Sequence, residues 1–317
     1  MYWIESLSIP NNYLEIKNLV LQANAKIQCE SREVLSISQH IGKQYQKFNV
    51  TSVFKEYNYT FEDAVLAWYI KRRFSQYKQI YILNSTLYEE LKKTTGIETI
   101  NSSIINNLPV DSFYIDMNQC NLELSSKEKI EGAFISIDKF KLDNEEKQEL
   151  NIILKISTNN SFYFVSASLP TKEEATLTEQ TNHWNTSCSE ELRDYFKDVL
   201  QLILYLCSDD IDVVKRPRIT SSKSNSKSKT KKEKPTTILD LGYRIGNDLK
   251  KSRIVYEEES NNHIHTKGSS KVPHIRRPHW AVYHVGKGRT ETVLKWINLI
   301  VVNKSKGELS PTAHKIK

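Results

Sequence analysis

The spacing of apolar positions changes near residue 108. Before that point it is helical. "NYLEIKNLVLQANAKI" sets Leu14, Ile16, Leu19, Val20 and Leu21 at helical intervals, and "TFEDAVLAWYIKRRF" does the same with Phe61, Val65, Trp68 and Tyr69. Thr60 heads the second stretch and Asp63 follows three residues on, a pattern like a capping box. Lys71, Arg72 and Arg73 close it, predicting a basic last turn that complements the helix dipole. Residues 1 to about 95 therefore read as helices, within an N-terminal region spanning 1–107.

From 108 onward the apolar residues come in short runs rich in β-branched and aromatic types. "SFYIDM", "GAFISIDKF", "LNIILKIS" and "SFYFVSASL" are separated by polar clusters, among them "DNEEK" and "TNN". This predicts an antiparallel meander of four strands. "SEELRDYFKDVLQLILYLCS" then predicts a long helix from about Ser189 to Ser208, with an apolar half covering one face of the sheet. The meander and helix form a region of 108–213, expected to make one unit with 1–107.

Beyond it the periodicity disappears. "KRPRITSSKSNSKSKTKKEKP" is almost free of apolar residues, so 214–235 reads as a flexible, disordered basic linker. Residues 236–317 read as a small C-terminal α+β module. "TILDLGYRIGNDLKKSR" predicts a strand leading into a helix. "HIRRPHWAVYHVG" and "TETVLKWINLIVVN", joined by "GKGRT", predict a β-hairpin. The fold class expected for the chain is α+β.

Charge sharpens this division. The chain of 317 residues carries a net charge of +7. Residues 215–234 hold nine basic residues and one acid, so the remainder is close to neutral. Lys227, Lys229, Lys231 and Lys232 of that segment are candidates for nonspecific electrostatic contact with RNA. Only 9 glycines are present, and no G-x-G-x-x-G or G-x-x-x-x-G-K-[ST] occurs, which argues against nucleotide-binding loops. Four scattered cysteines form no C-x-x-C pair, and the N-terminus shows no signal-peptide pattern. A cytoplasmic protein without membrane attachment is expected; the sequence leaves its oligomeric state open.

The stretch from Lys271 to Arg289, "KVPHIRRPHWAVYHVGKGR", holds five basic residues and three histidines and no acid. Arg276, Arg277, Lys287 and Arg289 suit phosphate. Trp280 and Tyr283 suit base stacking, and His279 suits hydrogen bonding. These seven are the candidate contacts with RNA or the ribosome. The competing reading makes Trp280 and Tyr283 core residues and the arginines a solvated face. Pro278 interrupts any strand ladder there. His274 and His279 are candidates for acid–base work in a metal-independent ribonuclease, although intrinsic catalysis is not expected. His263, His265, His274, His279 and His284 invite a metal reading, but no Cys, Asp or Glu lies between Asn261 and Thr290 to help. No metal and no cofactor is expected.

Several stretches resemble, in order, the type V-A anti-CRISPR proteins that suppress production of their target effector nuclease. They are "LPVDSFYIDM", "IEGAFISIDKF", "LQLILYLCSDDID", "YRIGNDLKKSR", "PHIRRPHWAVYHVGKG" and "LKWINLIVVN". The similarity runs from about 108 to 303 and is strongest over 236–303. Pro278 and Ala281 stand where the family pattern has Gly and His. The resemblance implies a protein of a mobile genetic element, on a phage or plasmid. It implies recognition of the nascent N-terminal polypeptide of the effector, followed by loss of the effector mRNA. The alternatives are a metal-independent ribonuclease and a general RNA- or nucleic-acid-binding protein of a mobile element.

Overall fold

Ile80, Tyr114, Phe134 and Ile153 stand side by side across four neighbouring strands, and all four are buried. Their sequence neighbours Tyr81, Phe113, Ala133 and Ile152 are buried too, on the opposite face. A strand alternates its side chains between faces, so continuous apolar runs such as "IYIL" and "FYI" mean a sheet covered on both sides. The structure is a computed structural model that describes residues 61–142, 145–159, 161–171, 175–181, 189–217, 235–248, 274–298 and 300–302. The amphipathic stretch around Leu14 to Leu21 and the cluster Lys227, Lys229, Lys231 and Lys232 lie outside these residues.

Helix α1 (Phe61–Tyr77) covers one face with Leu66, Ala67, Ile70 and Phe74, a single stripe at helical spacing. The basic last turn expected of it is not there. The helix continues one turn past Arg73, to Tyr77, and the positive φ of 50° at Lys78 ends it. Arg73 instead lies 3.2 Å from Asp138 and ties the helix to the sheet. Strand β1 (Gln79–Leu83) follows, and then α2 (Ser85–Lys92), capped by the Asn84 side chain. The expectation of helices throughout 1–95 is thus corrected. "QIYIL" is a strand, too short for its period to distinguish it from a buried helical turn.

The meander is as expected. Strands β2 (Ser112–Asp116), β4 (Lys129–Leu142), β5 (Glu145–Ser157) and β6 (Phe162–Pro170) pair antiparallel in sequence order, with β3 (Leu122–Glu123) against β4. The short helix α3 (Leu177–Thr181) follows. Helix α4 (Glu190–Cys207) covers the second face, as expected. Ser189 caps it, accepting from the Leu192 N–H, and Glu190 and Glu191 complement its N-terminal dipole. From Val199 to Cys207 it is buried on all sides.

Strands β7 (Val213–Lys215) and β8 (Thr237–Leu241) complete the same sheet. Its order is β6-β5-β4-β2-β1-β8-β7. β8 runs parallel to β1 from Gln79/Thr237 to Leu83/Leu241, and β7 runs antiparallel to β8. The boundary expected at 214–235 therefore falls between two strands of one sheet. The fold is α+β, with a three-layer arrangement around a mixed sheet.

Candidate nucleic-acid interface

The expected hairpin forms a two-stranded ribbon apart from the main sheet. Strand β9 (His274–Arg276) is separated from β10 (His279–Val285) at Arg277 and Pro278. Returning, β11 (Glu291–Ile297) is followed by β12 (Ile300–Val302). β10 pairs with β11 from His279/Ile297 to Val285/Glu291, and β9 pairs with β12. Proline has no N–H to donate and breaks the strand, as its place in the sequence predicts. The turn carries positive φ at Gly286, Gly288 and Arg289, and the Arg289 N–H donates to the Gly286 carbonyl at 3.1 Å.

The base of the ribbon is fixed to the body by a polar clasp. Trp280 and Trp296 are cross-strand partners on one face. The Trp280 indole N–H donates to Gln201 Oε1 at 2.5 Å. Gln201 Nε2 donates to the Thr94 carbonyl at 3.3 Å, and the Trp296 indole N–H donates to Thr94 Oγ1 at 3.0 Å. Trp296 also meets the Tyr205 ring edge-on, with centroids 5.6 Å apart. Backbone bonds complete the attachment. The Trp280 N–H donates to Thr95, the Thr95 N–H to Pro278, and the Asp209 N–H to Leu294. Gln201 lies in α4 and Thr94 just beyond α2, so the clasp joins three elements.

The loop after α4 extends this anchorage. Asp210 pairs with Lys295 at 3.5 Å. Asp212 is buried, and its carboxylate accepts from the N–H groups of Arg244 and Ile245 and from Arg244 Nε. It thereby caps the helix at 243–248. Its own N–H donates to Tyr205 Oη at 3.0 Å. Burial pushes the Tyr205 phenol up to about 12, so it stays neutral. Gly242 turns the chain at φ 75°, and a side chain at Gly246 would collide with Asn84, the cap of α2. "SDDID" and "YRIGND" are thus two halves of one structural joint.

Past Trp280 the ribbon leaves the body. Val282, Tyr283 and Val285 are three of the four large apolar residues that are exposed among the described residues. His284, Lys287 and Arg289 are exposed, as is Arg277 at the other end. From Arg277 to Ile297 the acids number one, Glu291, against Arg277, Lys287, Arg289 and Lys295. Alternation puts His279, Tyr283 and Val285 on the face opposite Trp280.

The predicted site residues therefore divide. Tyr283, Arg277, Lys287 and Arg289 lie on the surface, and His279 is half-buried beside them. Trp280 does not. It is 5% exposed and belongs to the core, because its ring packs under the ribbon and its N–H is used by Gln201. Of Arg276 and His274 only the backbone is described, paired with Ile300 and Val302. His279 Nδ1 lies 3.2 Å from the Arg277 carbonyl, and His284 points to the other face, so these two imidazoles form no acid–base pair. No cluster with metal-ligand character occurs among the described residues. Sequence reading missed Gln201, Thr94 and Asp212. The signal for Gln201 was present: one amide inside the apolar run "VLQLILYLC" calls for a buried partner.

Residues 81–304 match the model of the AcrVA2-like family, anti-CRISPR type V subtype A2. The fold is similar to the crystal structure of AcrVA2 at a TM-score of 0.56 and 16% identity, covering 92% of this chain and 95% of that one. No curated protein matches. Among the described residues no helix is long and apolar enough to cross a membrane.

Proposed function

The chain belongs to the AcrVA2-like family of type V-A anti-CRISPR proteins, and from that premise we propose that it prevents production of a type V-A effector nuclease. In this reading it recognises the nascent N-terminal polypeptide of the effector during translation and brings about loss of the effector mRNA. The ribbon makes the contact with RNA or the ribosome, and a host nuclease degrades the message. The protein then works in the cytoplasm, where translation occurs, and is encoded by a phage or plasmid.

One observation carries the second half of this reading. A ribbon clamped at its base by Trp280, Gln201, Thr94 and Trp296 presents Tyr283, Arg277, Lys287 and Arg289 to solvent. A rigid mount holds its exposed groups in place without a further ordering cost on binding, and a basic aromatic surface suits RNA.

The test co-expresses the protein with three versions of the effector gene. One is intact, one lacks its start codon, and one carries compensating frameshifts that change the N-terminal peptide while leaving the RNA almost unaltered. The message should fall only for the intact version. Loss of all three messages alike would overturn recognition through the nascent peptide.

A further inference from the structure

We infer that the distal ribbon is a stacking platform for single-stranded RNA, read without sequence preference, with Tyr283 as its stacking residue. This rests on the reading of the ribbon as an RNA or ribosome contact and names the ligand class. Three features support it. Tyr283 is 46% exposed and lies on the face opposite the anchoring tryptophans. Every base has a π-face, so a projecting phenol ring stacks on any of them. Lys287 and Arg289, two residues apart in the turn, provide phosphate contacts at one end of the ribbon, and Arg277 provides another at its base. Glu291 is the one acid of the ribbon, so an approaching phosphate chain meets net positive charge.

The charge of the turn favours RNA over a peptide strand, and the backbone limits strand addition at the base alone. Peptides that extend a sheet need a free backbone edge. At the base of this ribbon both edges are engaged, β10 by Thr95 and β11 by Asp209. Farther out the strands pair only with each other among the described residues, and the side chains presented there include Val282 and Val285 beside Tyr283, Lys287 and Arg289. A-form duplexes hide their base faces in the stack, whereas a single strand offers them to Tyr283.

The test uses the full chain and a labelled poly(U) of about 12 nucleotides, within the usual span of such sites. A duplex RNA of equal length serves as the comparison. Anisotropy titrations at several salt concentrations should show tighter binding to the single strand. Tyr283→Ala should weaken that binding about tenfold, and Tyr283→Phe should restore it. Lys287→Ala/Arg289→Ala should reduce the slope of log affinity against log salt by about 1.4, two phosphates at ~0.7 each. Equal affinity of Tyr283→Ala and wild type, or duplex bound as tightly as single strand, would overturn the inference. So would an unchanged salt slope in the double variant. If wild type binds no RNA while effector message still falls in cells, this inference fails and the proposed function stands. If RNA binds as described but no message falls, the proposed function fails instead.

Discussion

Trp280 and Tyr283 are three residues apart on one strand and have opposite fates. Trp280 is locked beneath the ribbon, its N–H bonded to Gln201, while Tyr283 stands in solvent. The same contrast holds along the whole ribbon. Its proximal half is tied to α2, α4 and the 209–212 loop, and the strands of its distal half, among the described residues, pair only with each other. Composition alone does not separate the two halves, since both are aromatic and basic. What separates them is the distance each lies from a core able to cover it. The proximal tryptophans pack against the body, and Tyr283 in the distal half is left exposed.

Substitutions at the two halves should therefore differ sharply. Trp280→Ala removes a buried indole and its hydrogen bond, and should cost about 3–5 kcal/mol in urea denaturation. A loss of no more than ~0.5 kcal/mol, the usual range of surface changes, would mean the ring is not core. Gln201→Met keeps the volume but leaves the Trp280 N–H buried without an acceptor, so about 1–3 kcal/mol is expected by the same measurement. Asp212→Ala removes the cap of the 243–248 helix and should cost about 1–2 kcal/mol. A smaller effect is expected from a chain break. Trypsin nicking within 218–234 should leave both pieces together on gel filtration, because β8 lies between β1 and β7. Separation of the pieces would show 236–317 to be an independent module. Smallest of all, Tyr283→Ala should change stability by no more than ~0.5 kcal/mol.

How far the sequence foretells this contrast depends on the range of the interactions that create it. The meander was legible because its strands alternate and its turns are local, as in "TNN" before "SFYFVSASL". Helix α4 was legible because Ser189 caps it and its apolar half is continuous. β1 was not, since five residues fit either period. The seat of β8 beside β1 was not legible either. Parallel pairing joins residues about 160 positions apart and leaves no trace in local spacing. The hairpin and the break at Pro278 were readable, but alternation gives no indication of where a ribbon leaves its core. The sequence therefore leaves Trp280 open between the candidate surface and the core, and the structure places it in the core. Three of the six stretches that carry the family resemblance have different physical origins. "SDDID" with "YRIGND" builds the joint around Asp212, whereas "HVGKGR" serves the exposed tip.

The central claim is that the exposed tip acts on the message while the clasp only holds it. Its most direct test is effector transcript abundance in cells producing wild type or Tyr283→Ala/Lys287→Ala/Arg289→Ala at matched protein levels. These residues are exposed and should leave folding intact, which a melting curve within a few degrees of wild type would check. The account predicts that the triple variant accumulates and leaves the effector message at the level seen without the protein. A variant that accumulates, melts as wild type does and still depletes the message to the wild-type extent would contradict it.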